Sequence, residues 1–131
     1  MLQRLVRFQG GILSWIITTP QPLLQKMYTV AYVTCPNSSS ADEIASHLVT
    51  KKLAACVNII PAVQSVYIWK GKLEKDNEVL LLIKTRGSLM DNVIEAVKSK
   101  HPYECPEIIF VELKHGNADY LKWISDSTLI E

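Results

Sequence analysis

Strand-like and helix-like segments follow one another along this chain in the order βαββαβ, with a short helix at the end, and that order predicts an α+β domain. Three observations carry the prediction. Two stretches repeat apolar residues at helical spacing, four short runs are rich in β-branched and aromatic residues, and polar turn signals separate them. The arrangement that satisfies all three is ferredoxin-like: a four-stranded antiparallel sheet with its two main helices on one face.

Met27 to Thr34 (MYTVAYVT) reads as the first strand of the domain and stops at the turn signal Cys35-Pro36-Asn37. A helix follows, opened by Ser40 and Glu43 at capping-box spacing and striped by Ile44, Ala45, Leu48, Val49 and Leu53. Asp42 and Glu43 at its start, with Lys51 and Lys52 at its end, complement the helix dipole. Ala54 to Ile60 and Val63 to Lys70 read as one long strand, bent or bulged at Pro61. In its second half Ser65, Tyr67 and Trp69 face one way and Val66 and Ile68 the other. Gly71 to Asn77 is expected to be a polar reversal, and Glu78 to Thr85 (EVLLLIKT) the hairpin partner. Ser88 is the expected N-cap of a second helix striped by Leu89, Met90, Val93, Ile94 and Val97, which Pro102 ends. Glu104 to Leu113 is the fourth strand. After His115-Gly116-Asn117, a helix from Ala118 to about Thr128 carries Leu121, Trp123 and Ile124.

The folded domain is assigned to residues 27–131, and residues 1–26 to an N-terminal extension. No acid precedes Asp42, and Arg4 and Arg7 come before the apolar run 11–17, followed by the loop-like Thr18-Thr19-Pro20-Gln21-Pro22. The run falls short of the roughly 20 residues that span a bilayer, so no transmembrane helix is expected. The extension is read as poorly ordered or surface-docked, with a targeting segment as the alternative. Three cysteines far apart, with no CxxC pair, argue against a disulfide framework and for a reduced, cytoplasmic setting. A mitochondrial or secretory-pathway location is the alternative if residues 1–26 act as a targeting segment. Fourteen basic and thirteen acidic residues in mixed order leave a net charge of +1, which excludes the electrostatic footprint of a nucleic-acid binder.

A sheet with one wet face alternates apolar and polar residues, yet VLLLI, CVNII and EIIFVEL are apolar at nearly every position. Two helices cannot wrap both faces. The second face is therefore expected to be covered by other copies of the chain, making it an obligate oligomer.

For chemistry, no nucleophile elbow, phosphate loop or HExxH motif is present, and Cys56 in its apolar strand reads as a small buried hydrophobe, so the chain is expected not to be an enzyme. The stretch KHPYECPEI gathers His101, Glu104, Cys105 and Glu107, donors that suit copper or zinc better than magnesium or calcium. Strand alternation prevents all four from sharing one ion, which leaves His101 and Glu104 with a donor from elsewhere, such as Cys35. The competing reading places His101 at a helix end, where an imidazolium favours the dipole. Ser65, Tyr67 and Trp69, with Lys84 on the partner strand, could line a cleft for a planar or anionic molecule, or simply form interface core.

The segments KLAACVN (52–58), SVYIWKGK (65–72), Lys84-Thr85, HPYE (101–104), PEI (106–108) and Tyr120, Leu121 and Trp123 together resemble the CutA family of divalent-cation tolerance proteins over residues 27–128. The resemblance implies a homotrimer with strands of neighbouring subunits joined, binding of copper(II) or another divalent cation, and a role in metal tolerance. It also implies a protein client in animal relatives, acetylcholinesterase, for maturation and anchoring. By the same resemblance Cys56, Asn58, Tyr67, Trp69, Lys84, His101, Tyr103, Glu107 and Trp123 sit near clefts between subunits. Some bacterial members carry a cysteine where this chain has Val33, which puts a metal site using that thiol in doubt. The alternative function is a regulatory trimer similar to the PII signalling proteins, with Lys84 and the aromatic strand holding a small effector.

Overall fold

The computed structural model of the chain describes residues 2–7, 13–18 and 27–130. Two strands, β1 (Leu2–Arg7) and β2 (Leu13–Thr18), pair antiparallel in a sheet of their own. The expected extension without regular structure missed this pair, although Trp15, Ile16 and Ile17 are residue types that favour strands. Residues 8–12 and 19–26, part of the segment read for targeting, lie outside the described residues.

The main domain runs β3 (Tyr28–Cys35), α1 (Ser38–Thr50), β4 (Cys56–Trp69), β5 (Lys72–Arg86), a 3₁₀ turn (Gly87–Leu89), α2 (Met90–Lys100), β6 (Ile108–Glu112) and α3 (Ala118–Asp126). The sheet order is β4-β5-β3-β6 with every neighbouring pair antiparallel, the ferredoxin-like order with crossovers through α1 and α2. Alternation decides which side chains enter the core. Ala31, Val33 and Cys35 on β3 lie opposite Ile83, Leu81 and Val79 on β5, and all six are buried against Ala41, Ile44 and Leu48 of α1 and Val93 and Val97 of α2. Each large aliphatic side chain so buried contributes about 1.5–3 kcal/mol.

Several element ends differ from the sequence expectation for local reasons. The cap of α1 is Asn37, whose Oδ1 accepts from the Ser40 amide at 2.8 Å, so the helix starts at Ser38, and the expected Ser40–Glu43 box lies within the helix, with the acids Asp42 and Glu43 past its first turn. Its far end closes with Lys52 in the left-handed region (φ 60°), the Lys52 amide donating to Val49 O and the Leu53 amide to Leu48 O. The expected reversal at 71–77 is instead strand. The turn is only Lys70-Gly71, both at positive φ, and Trp69 pairs with Lys72 across it. The bend predicted at Pro61 is a register shift between Ile60 and Val63, with Ala62 at φ 64°. Ser88 does not cap α2: it lies in the 3₁₀ turn, and Leu89 precedes the helix with no side-chain cap. The fourth strand is Ile108–Glu112, because Pro102 and Pro106 keep residues 104–107 out of the ladder.

The helices α1 and α2 cover one face, and α3 reaches only the Tyr28–Arg86 end of the other. On the other, the register lines up Val111, Val30, Lys84 and Cys56 in one row, Ile109, Tyr32, Leu82 and Asn58 in the next, and Thr34, Leu80 and Ile60 in a third. Ile109 and Val111 are each 53% exposed, and Tyr32 and Ile60 are also exposed.

Candidate functional site

The long β4–β5 hairpin builds the first cluster. Beyond the Pro61 bulge its strands put Val63, Ser65, Tyr67 and Trp69 on the same face as Glu78, Asp76, Glu74 and Lys72. Side chains meet on the diagonal: Ser65 Oγ donates to Glu78 Oε1 at 2.6 Å, and the Tyr67 hydroxyl donates to an Asp76 carboxylate oxygen. The second Glu78 oxygen accepts from the Tyr103 hydroxyl at 2.9 Å, so this buried carboxylate is held from both sides.

Tyr103 reaches Glu78 because His101 anchors the loop after α2. His101 is buried at the helix C-cap, its Nε2 lies 2.7 Å from Thr34 O, and its Nδ1 accepts from the Tyr103 amide at 3.1 Å. With Nδ1 accepting, Nε2 carries the proton and donates to the carbonyl. The rings of His101 and Tyr103 lie 4.8 Å apart. Partial burial and then the Glu78 carboxylate hold the Tyr103 phenol well above its usual range. The Tyr67 phenol is pushed up to about 12, first by its bond to Asp76.

A second group stands at the other end of the bare face. Lys84 donates to the Asn58 side-chain oxygen, one step across the hairpin from Cys56. On α3, Tyr120 and Trp123 stack at 5.4 Å, and burial together with Cys56 beside its hydroxyl raises the Tyr120 phenol.

The expected metal donors do not come together within the chain. Both His101 nitrogens are engaged, leaving no lone pair for an ion. Cys35 ends β3 rather than lying in the following loop, and is fully buried. Burial pushes its thiol up to about 11, only partly offset by the Ser40 hydroxyl and reinforced by Glu78, so the thiolate a metal needs is disfavoured. Glu104 is exposed in the loop. Among the described residues no three His, Cys, Asp or Glu side chains converge to hold a metal ion, so this set does not fit a closed copper site.

The expected cleft residues divide in two. Tyr67 and Tyr103 share the carboxylate cluster, while Lys84 and Trp123 belong to the far end of the face. Trp69 sits at the hairpin tip, 60% exposed, with Lys70 Nζ 5.8 Å from its ring centre, and Glu107 is exposed before β6. Glu78 and Asp76 were not singled out from sequence, and Tyr120 stood out only through the family resemblance. Carrying the alternation of β4 across to 74 and 76 would have found Asp76, but residues 71–77 read as a turn, while Glu78 opened the expected strand without being marked as a site residue.

Known proteins resemble this chain closely. The CutA1 divalent ion tolerance protein family matches residues 29–127. A protein CutA homolog of Xenopus laevis is 56% identical over 98 residues, 75% of this chain and 65% of the relative. Protein CutA 1, chloroplastic, of Oryza sativa subsp. japonica is 50% identical over 99 residues, 76% of this chain and 56% of the relative. The chain thus spans little more than half to two thirds of these relatives' length. The crystal structure of CutA1 from Oryza sativa superposes with a TM-score of 0.79 at 46% identity, covering 82% of this chain and 98% of that one.

Proposed function

The chain belongs to the CutA1 divalent ion tolerance protein family, and from that premise we propose that it acts as a non-enzymatic homotrimer that takes up divalent cations, copper(II) among them, in a metal-tolerance response. The observation that carries the reading is the bare apolar sheet face beside a loop of exposed donors. Val30, Tyr32, Leu80, Leu82, Ile109 and Val111 form a surface of core composition that neither α1 nor α2 covers among the described residues, which favours burial against further copies. On the loop after α2, Glu104 and Glu107 are exposed, and His101 and Tyr103 anchor its start. One subunit therefore offers carboxylates but not a complete shell, and the remaining donors would come from its neighbour. In this reading His101 positions the loop and Cys35 stays a buried thiol.

Copper(II) and zinc calorimetry on the assembled, reductant-free protein tests this, with Glu104→Gln/Glu107→Gln as the paired variant. Saturable binding that weakens at least tenfold in the variant supports the site, and binding that is absent or unchanged overturns it. Sedimentation equilibrium tests the trimer.

A second reading, a regulatory trimer that seats a small effector, is favoured by one observation: Lys84, bonded to Asn58, ends the apolar stripe of β5 and pairs with Cys56, which lies beside Tyr120. Loss of effector binding in Lys84→Ala with metal binding intact would select it. The folded domain in either reading is residues 27–131, and the word chloroplastic in the rice relative's name keeps a targeting role for residues 1–26 in view beside a cytoplasmic one. Among the described residues no helix is long and apolar enough to cross a membrane.

A further inference from the structure

Beyond the Lys84 end of that face, a cavity of about 370 Å³ opens where β3 begins and β5 ends, lined by Met27, Tyr28, Arg86, Ser88, Met90 and Ser125. That volume lies within the range of small-molecule pockets. Arg86 is the charged side chain lining it. Its Nε donates to Thr128 Oγ1 at 2.9 Å and its Nη2 to Ser125 O at 2.6 Å, which holds the guanidinium in one place. A guanidinium has five N–H donors, and the bonds it makes to described residues use two of them. Among the described residues no carboxylate lies within ion-pair distance of it.

Among the described residues the cavity presents this cation without a carboxylate partner, and an anion there would complete its hydrogen bonding. Two neighbours add donors. Ser88 lies in the 3₁₀ turn that leads into α2, where no side chain caps the start, and the Tyr28 and Ser125 hydroxyls bond each other at 2.6 Å. Met27, Met90 and the Tyr28 ring supply apolar wall. We propose that this cavity binds a small organic anion, its carboxylate or phosphate gripped by Arg86 beside Ser88 and its apolar body resting on Met27, Tyr28 and Met90. The planar fork of arginine suits either oxyanion, and the site is independent of the cation and Lys84 readings above.

The test is a titration of the full chain with benzoate and with phenyl phosphate, followed by amide chemical shifts and the Arg86 Nε–H resonance. Saturable shifts at Ser88, Leu89, Met90 and Arg86 are expected, with the stronger of the two probes identifying the oxyanion. Arg86→Lys keeps the charge, loses the fork and should weaken binding about tenfold. Because Arg86 also ties down Thr128 and Ser125, a second variant is needed. Ser88→Glu sets a carboxylate at the exposed rim, where the helical start favours a negative charge, so the fold is kept while the anion is repelled. Lys84→Ala should leave the response unchanged. No saturable shift up to about 10 mM probe, or equal binding in the folded Ser88→Glu protein, would overturn the proposal.

Discussion

Tyr103→Phe removes one hydroxyl and leaves the ring that stacks on His101, which makes it a clean probe of the Glu78 cluster. The hydroxyl donates at 2.9 Å to a buried carboxylate, and hydrogen bonds to charged groups contribute about 1.5–3 kcal/mol. Tyr103 is itself 36% exposed, so water can reach the vacated Glu78 oxygen and the cost falls toward the low end, about 1–2 kcal/mol. Urea unfolding at pH 7, at one fixed protein concentration so that assembly does not shift the midpoint, measures it. Ser65→Ala removes the other donor and should cost a similar amount. The double variant should lose more than the sum, by roughly 1 kcal/mol, because it alone leaves a buried carboxylate with neither partner. Glu78→Gln sharpens the logic: its amide nitrogen cannot accept, so one of the two hydroxyls already has no acceptor and Tyr103→Phe should cost less in that background. A loss below about 0.5 kcal/mol for Tyr103→Phe, or strict additivity with Ser65→Ala, would refute the claim that the three residues act as a unit.

The same cluster predicts an alkaline signature. Tyr67 is raised to about 12 and Tyr103 is also raised, while unfolded tyrosines ionise near 10. Raised values mean that their contribution to stability is complete below about pH 10 and is lost as the pH climbs through the folded values. Tyrosinate absorbance should show a late component near pH 12 that Tyr67→Phe removes, and titration of all tyrosines at their ordinary value would contradict the Tyr67–Asp76 bond. Thiol labelling at pH 8 should modify exposed Cys105 first and leave Cys35 unreacted until the chain unfolds, and rapid labelling of Cys35 would show that β3 does not bury it. Val111→Asp should cost an isolated chain within about 0.5 kcal/mol, since the side chain is already exposed, yet should break the proposed assembly in sedimentation. An unchanged particle mass would remove Val111 from the interface.

Period and propensity were enough to read the order of elements in the domain, because apolar spacing and turn residues separate each strand from the helix that follows it. Boundaries went astray where one signal competed with another. Lys72, Glu74, Lys75, Asp76 and Asn77 look like a turn by composition, but they alternate on a strand whose partner holds Ser65 and Tyr67, and cross-strand pairing outweighs their poor strand propensity. That one misreading hid Asp76 and, with it, the pairing that places Glu78 in the cluster. His101 shows a different limit: its residue type suggests a ligand or a dipole-stabilising imidazolium, and only the positions of Thr34 O and the Tyr103 amide reveal it as a strut. Those partners lie 67 residues away and two residues away, and spacing in sequence marks neither as a neighbour of the ring.

The two polar side chains at the ends of the β5 stripe bear on whether the bare face is meant for burial. Going along that face, Glu78, Leu80, Leu82 and Lys84 follow one another, so an apolar centre is bounded by one acid and one base. A charge on a face exposed to water needs no partner from the chain, whereas a charge on a face that will be covered must already be hydrogen-bonded or its desolvation opposes assembly. Both ends meet the second condition before any second copy arrives: Glu78 through Ser65 and Tyr103, Lys84 through Asn58. Replacing Asn58 by Ala should therefore weaken the proposed trimer by stranding Lys84 at the covered face. Replacing Asn58 and Lys84 together by Ala and Met should restore it, because the uncompensated charge is then gone. If both variants assemble like the parent, Lys84 is solvated in the oligomer and lies in an open cleft, which is the arrangement the small-effector reading requires.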